Sequence, residues 1–444
     1  MLSNFVLRRF QKIYRYSRWM RVHFTRMGHL CLIVWMMAGV FGVDTRSSNT
    51  YQLFVFLSII FCFALLASLF NRFSATVQRH LPRYATVDEL LTYKVSVSNT
   101  SAKNYHHLVY SEQLNEIFPN YQELAEHYQR QHRPWYKRSI SFRLWLRYLR
   151  FRNGAYLNEQ DIAFLSTQYT EQITVSCMPI RRGKLVFTGA YIAKPDIFGL
   201  FKRFYFVENR QSCLILPKRY PIAPLHLSAQ RNYQQGGVSL ANSVGDSTEF
   251  MALRDYRHGD AINRIHWKSL ARHNKLIVKE YQDEFFVRRA LILDTELGMV
   301  SRDVFEAAVS VAASLAINKQ PNDALLDLMF VGHQTYQFTT GRGVDHMPHL
   351  QEVLAAVQPS ETGSFIRLQH AVNAHAAQCS SLFLVLLDWD AQRQELVKSI
   401  LTQGIPLAVF LAHEGQLIKQ DLENQPTHFY LINSLQIAAD LAAI

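Results

Sequence analysis

The stretch GDSTEFMALRDYRHGDAINRIHWKSLARHNKLIVKEYQDE, residues 245–284, decides how the rest of the chain is read. Its charged and aromatic residues follow neither a helical nor a strand period, so it is a composite of short elements. It reads as strand, turn, helix and strand. Gly259-Asp260 is turn chemistry, and Asp260 is placed to cap a helix beginning at Ala261. That helix should end near His273-Asn274, because Asn tolerates the left-handed conformation of a C-terminal cap. Lys275–Tyr281 then alternates as a strand. Glu249, Arg254, Asp260, Arg264 and Arg272 admit two compatible readings. They form a recognition surface, or they pair as a half-buried ion network at a join between two domains. The planar fork of Arg suits such pairing, since it meets carboxylates bidentately.

The succession Glu249-Phe250, Leu253-Arg254, Tyr256, Gly259-Asp260, Arg264, Ile265, Trp267 and Ala271-Arg272 resembles the signature of the bacterial domain-of-unknown-function 58 family. A second segment, RRGKLVFTGAYIAKPDIFGLF, resembles that family upstream of the signature. It carries an RRG turn at Arg181, Arg182 and Gly183, and a strand end at Asp196, Phe198, Gly199, Leu200 and Phe201. The resemblance implies a C-terminal α/β domain similar to the von Willebrand factor A domain. It also implies partners: a MoxR-type AAA+ ATPase, and in some members a transglutaminase-like membrane protein.

Charge is concentrated rather than spread. The formal net charge of +12 is accounted for by two acid-free segments, residues 1–28 with seven Arg or Lys and residues 134–155 with six more. Each borders apolar sequence or lies close to it, so a membrane surface explains the basic excess better than nucleic acid does. Five cysteines without a CxxC or a metal spacing argue against a disulfide framework and fit a reducing cytosol.

Two apolar stretches, Met27–Val43 and Tyr51–Phe70, follow the basic N-terminus. About 17–25 apolar residues cross a bilayer, so both qualify, and the eight residues VDTRSSNT between them make a hairpin. The first is too long in its basic region for a cleaved signal sequence. Lys and Arg precede the hairpin, and Arg72, Arg79 and Arg83 follow it, so both ends are expected in the cytoplasm. The expected organisation is a basic cytosolic N-terminus at 1–28 and a two-helix transmembrane hairpin at 29–70. A β-sandwich at 84–220 follows, with a basic helical insert at 104–158. The signature segment occupies 240–284 and the von Willebrand A-like α/β domain 285–444.

The sandwich rests on period-two alternation at Tyr93, Val95 and Val97, at Ile173, Val175 and Cys177, and at Leu185, Phe187 and Tyr191. Inside the insert Phe142, Trp145, Leu146 and Leu149 share one helical face, and Arg143, Arg147 and Arg150 take the other. Such a helix lies in a lipid headgroup region, or packs on the sandwich with solvated arginines. Trp145, Arg143, Arg147 and Arg150 are therefore the lipid-surface candidates.

Beyond the signature, apolar strands ending at Asp294 and Asp388 alternate with helices near 302–318, 365–377 and 391–403, the pattern of a parallel sheet covered on both faces. The resemblance to von Willebrand A domains implies a divalent cation held by a D-x-S-x-S loop, a Thr and a further Asp. Here the loop reads Asp294-Thr295-Glu296-Leu297-Gly298, with both serines replaced. Glu296 in place of one serine, Thr362 or Ser364 from the second loop and Asp388 or Asp390 from the third are the remaining oxygen ligands for magnesium or calcium. The alternative is a carboxylate at a strand end facing a helix N-terminus. No Walker loop, strand-linked GxGxxG, HExxH or GxSxG elbow is present, and no catalytic residue is assigned. The resemblance implies a non-enzymatic inner-membrane scaffold or adaptor acting with the MoxR-type ATPase and using no cofactor. Its docking surface is expected at the carboxyl ends of the parallel strands, around Asp294, Thr362 and Asp388. The alternatives are a divalent-cation-dependent binder that uses the degenerate loop with magnesium or calcium, and an anionic-lipid surface protein.

Overall fold

The computed structural model describes residues 2–41, 49–70, 73–120, 123–124, 141–167, 169–196, 198–223, 225, 250–281, 287–317, 324–331, 335–340, 347–360, 364–415 and 425–444. Glu249 and Thr362 lie outside them, as does Arg72. Chain contacts divide the protein into two compact units, residues 1–218 with 351–357, and residues 219–350 with 358–444.

The first unit opens with three helices: α1 (Leu2–His23), α2 (Arg26–Phe41) and α3 (Asn49–Phe70). The basic N-terminus is thus itself helical. Leu7, Phe10 and Tyr14, at helical spacing, turn one face of α1 into a small aromatic core. α2 and α3 pack together. The Trp35 indole donates to Ser58 Oγ at 2.8 Å and stacks on Phe54 with ring centroids 5.4 Å apart. α3 is long and apolar enough to cross a membrane, and α2 is a shorter apolar helix of 16 residues.

A β-sandwich follows, built from β1 (Ala75–His80), β2 (Tyr84–Thr86), β3 (Leu91–Asn99), β4 (Tyr105–Leu114), β5 (Ala155–Leu157), β6 (Gln160–Leu165), β7 (Thr170–Pro179), β8 (Gly183–Pro195) and β9 (Lys202–Leu216). One sheet has the order β1-β3-β7-β5 and the other β2-β9-β8-β4-β6. The alternation read at Tyr93, Val95 and Val97 and at Leu185 and Phe187 places these residues in a common core with Tyr110, Val175 and Ile215. A register shift after Phe187 ends it, so Ile192 takes the core position and Tyr191, expected inside, stays half-buried. Between β4 and β5 stands α4 (Phe142–Asn153), capped by the Ser141 hydroxyl and ended by Gly154 at φ 85°.

The second unit begins with a two-stranded antiparallel ribbon, β10 (Phe250–Asp255) and β11 (Ile277–Tyr281). A 3-10 turn (Ile262–Arg264) and the short helix α5 (Trp267–His273) lie between the two strands. Then come β12 (Val287–Leu293), α6 (Arg302–Ile317), β13 (Ala324–Val331), β14 (Thr335–Thr340), α7 (Met347–Ala356, its last six residues grouping with the first unit), α8 (Ser364–Ala376), β15 (Ser381–Leu386), α9 (Ala391–Thr402), β16 (Leu407–His413), β17 (His428–Asn433) and α10 (Ile437–Ala442). The sheet order is β14-β13-β12-β15-β16-β17, parallel except for the β14 edge. Ala290 and Ile292 of β12 share a core with Phe365, Leu368, Leu396 and Val397 of α8 and α9. Strand alternation turns Leu291 and Leu293 to the opposite face, and α6 packs on the sheet as well. β14 and α7 were not legible in the sequence.

Candidate functional site

The ribbon and its insert carry the signature. Asp260 was expected to cap a helix starting at Ala261, and the structure corrects this. Its carboxylate accepts both Arg254 Nη1 and Nη2 at 2.7 Å and the Arg257 N–H at 2.8 Å. With its oxygens so engaged, Asp260 closes the turn instead, the residues after it form the 3-10 turn, and the α-helix starts only at Trp267. Gly259, at φ 105°, supplies the left-handed conformation that this tight turn needs. The Arg254 and Arg257 donors hold the Asp260 carboxyl well below its ordinary value, at about 2. Asn274 ends α5 in the left-handed conformation at φ 52°, as its residue type predicts.

The remaining signature residues divide by exposure. Ile265 and Val278 are buried and bridge each other, and the Tyr256 N–H donates to the Leu276 carbonyl at 3.0 Å. Arg264 is half-buried and Arg272 exposed. Phe250 is placed by its backbone pairing with Tyr281. Leu253, Ile262, Trp267 and Leu276 stand exposed at 45%, 70%, 58% and 41%.

At the carboxyl end of the parallel sheet, Asp294 ends β12 and is wholly buried. Its Oδ1 accepts the Glu296 N–H at 3.0 Å, and its Oδ2 accepts the Leu387 N–H at 3.3 Å and Arg393 Nε at 2.8 Å. Arg393, from the first turn of α9, also donates to Asp390 Oδ2 at 2.7 Å and lies 4.5 Å over the Phe365 ring. Burial pushes the Asp294 carboxyl above its ordinary value, against the pull of Arg393 and the two backbone N–H groups. Burial, the largest single influence, lowers the Arg393 guanidinium, but the charge and hydrogen bond of Asp294 together with the charges of Asp390 and Asp388 offset it, and the group ends above its ordinary value.

This arrangement does not fit the divalent cation that the von Willebrand A resemblance implies. The guanidinium sits on the carboxylate that a metal would need. Glu296 is turned to a helix start, its Oε2 accepting the Phe365 N–H at 2.8 Å in the first turn of α8. Asp388 is exposed, with Oδ1 on its own neighbour's N–H, that of Trp389, at 2.7 Å. Among the described residues no group of three or more His, Cys, Asp or Glu is placed to hold a metal. Arg393 was the residue that sequence reading missed. Its signal was an arginine three residues after Asp390, on a helix whose cap is that same aspartate.

The lipid-surface candidates also separate. Trp145 is fully buried against Phe10, Tyr14, Phe118 and Leu124, so it does not reach a bilayer, while Arg143, Arg147 and Arg150 are exposed.

Helices, a mostly antiparallel sandwich and a mostly parallel α/β domain, with one helix of membrane-spanning length and apolarity, define a mixed α+β multidomain protein. Residues 252–399 match the family model DUF58, protein of unknown function, and the chain carries a DUF58 domain. It is similar to Uncharacterized protein YeaD of Bacillus subtilis (strain 168), at 25% identity over 208 residues, 46% of this chain and 50% of the relative. The chain thus spans about half the length of that curated relative. Among solved structures, the CARDB domain of the PF1109 protein from Pyrococcus furiosus covers 33% of this chain and 90% of its own at 13% identity, with a TM-score of 0.17. A cohesin module from Clostridium perfringens covers 32% and 98% at 8% identity, also with a TM-score of 0.17.

Proposed function

We propose that this chain is a scaffold or adaptor of the bacterial inner membrane, working through protein–protein interaction with a MoxR-type AAA+ ATPase. A transglutaminase-like membrane protein is a further partner in the same assembly. On this reading α2 and α3 form a two-pass hairpin, and both soluble units face the cytoplasm, following the excess of Arg and Lys on that side. The DUF58 domain, in the manner of a von Willebrand A domain, is the docking module.

One observation carries the reading. The Arg254–Asp260 pair is engaged inside the signature, and the turn it holds leaves Trp267, Ile262, Leu253 and Leu276 exposed. The polar signature residues thus build a platform and the apolar ones remain for a partner. Trp is the residue type most often found at the energetic centre of an interface. The contact is therefore placed on the signature rather than on Asp294, whose full burial denies it to any partner. Met299, 85% exposed in the loop after β12, and the exposed Asp388 are what the sheet edge presents instead.

The test is in-cell crosslinking of the tagged full-length protein, followed by mass spectrometry of what co-purifies. An AAA+ ATPase recovered with the wild type and lost in Trp267→Asp, at unchanged melting temperature, is the expected result. Recovery of lipid and the protein itself alone would sink the adaptor reading.

A further inference from the structure

We propose that the outward face of α1 lies in the headgroup layer of an anionic bilayer, as an in-plane anchor beside the membrane helices. The inward face of this helix is already covered. Phe10 and Tyr14 meet Trp145 with ring centroids 6.2 and 5.7 Å apart, and Leu7 is buried with them. Three large side chains are nevertheless left in the open: Val6, Ile13 and Tyr16, exposed at 37%, 50% and 64%, whereas Trp19 stacks on the His23 ring at 4.9 Å and borders the groove towards Tyr191 and Phe206.

The same helix exposes Arg8, Arg9, Lys12, Arg15 and Arg21, and its 22 residues contain no acid. In water, a helix with one buried stripe typically carries charged and polar residues on its opposite face. Aliphatic and aromatic residues interleaved with cations are instead what a headgroup layer accommodates. The rings and alkyl chains enter the acyl boundary and the guanidinium groups meet phosphates.

Position within the first unit agrees. Only two residues separate α1 from α2, and that junction is fixed. The Thr25 N–H donates to the Leu200 carbonyl at 3.0 Å, and Thr25 Oγ1 accepts the Gly28 N–H at 2.9 Å. α1 therefore leaves the apolar helix at a set point. The exposed Arg143, Arg147 and Arg150 of α4, the helix α1 packs against, add charge of the same sign. The occupant is the anionic phospholipid of the membrane that α3 crosses, so the inference rests on the membrane reading above.

The experiment uses the full chain reconstituted in vesicles, with p-benzoylphenylalanine replacing Tyr16, Ile13 or Phe56 in separate proteins. Phe56, on α3 and 60% exposed, reports whether that helix is in the bilayer at all. Lipid adducts at Phe56 in every vesicle are expected. At Tyr16 or Ile13 the adduct should be roughly fivefold or more higher with about 25% phosphatidylglycerol than with phosphatidylcholine alone, as about 1 kcal/mol per basic residue implies. Changing Arg8, Arg9, Lys12 and Arg15 to Gln should abolish that difference. Adducts at Phe56 but none at Tyr16 or Ile13 would overturn the α1 proposal alone, as would equal yields in the two vesicles. No lipid adduct at Phe56 would overturn the membrane reading and the proposal with it.

Discussion

Arg393 places its Nε 2.8 Å from Oδ2 of Asp294, inside a site where one side chain is 5% exposed and the other not at all. A buried carboxylate at a strand end needs a positive partner, and here the chain provides one from α9. Removing that partner should be severe. Arg393→Ala is expected to cost about 3–5 kcal/mol, because Asp294 is left charged and unpaired in the interior. The melting temperature of the full-length protein measures it. Magnesium, calcium or manganese should leave the wild-type melting temperature where it is. A metal-dependent rise in the wild type, lost in Asp294→Ala, would restore the cation reading and defeat the internal guanidinium.

The turn in the signature should depend on acid. The Asp260 carboxyl is held at about 2, below its ordinary 3.8, by Arg254 first and by the Arg257 N–H. A folded-state value below the unfolded one means stability that is full above the unfolded value and lost as pH falls through the folded one. The difference in melting temperature between wild type and Asp260→Asn is therefore expected to be constant above about pH 4 and to vanish towards pH 2. A difference that stayed flat down to pH 2 would show that the pair does not support the fold.

How much was legible follows from where the physics is local. Alternation at Tyr93–Val97 and the apolar strands before Asp294 and Asp388 announce their elements, because burial on one or both faces writes itself into neighbouring positions. Asn274 announced its cap by residue type alone. Asp260 misled for the converse reason. A turn aspartate before an apolar run looks like a cap until its oxygens are claimed by Arg254, six residues earlier, and only the ribbon pairing brings those two together. Trp145 misled similarly. Its helical stripe was read correctly, but what covers the stripe is α1, more than a hundred residues away in sequence. Arg393 was invisible because its partner lies on another strand end, 99 residues earlier.

The sandwich contains a second pair of the same kind. Arg79 donates to Glu112 through Nε at 2.9 Å and through Nη2, and neither side chain is exposed. Glu112 Oε1 also accepts the Tyr93 and Tyr110 hydroxyls at 3.0 and 2.7 Å. Burial, then the Glu112 charge, pushes both phenols above their ordinary value, so they remain donors. Glu112→Gln should leave Arg79 uncompensated at about 3–5 kcal/mol. Cys177 reports the loss. Burial pushes its thiol up to about 12, so alkylation in the native protein waits for the sandwich to open. Alkylation of Cys177, followed by peptide mass spectrometry, should be about a hundredfold or more faster in the variant. Equal rates would mean that the network carries no stability.

The junction between α1 and α2 makes the sharpest steric prediction. A Cβ built on Gly28 would lie 2.0 Å from the Leu200 carbonyl oxygen and 2.9 Å from its carbon, both backbone atoms that cannot rotate away. Gly28→Ala must therefore push the helix off the Phe198–Phe201 turn and break the Thr25 hydrogen bonds to Gly199 and Leu200. Overpacking of this kind costs about 1–3 kcal/mol, and the backbone contact puts this case at the upper end. Gly199→Ala, at φ 64° with nothing within 4 Å of the added carbon, should cost only the left-handed strain of about 1–2 kcal/mol. Comparing the two separates a clash from a conformational cost at one contact. Melting temperatures and protease cutting near Phe24 are the readouts, and the expected order is wild type, then Gly199→Ala, then Gly28→Ala. If Gly28→Ala melted with the wild type, the apolar helix α2 would not be clamped to the sandwich at this point.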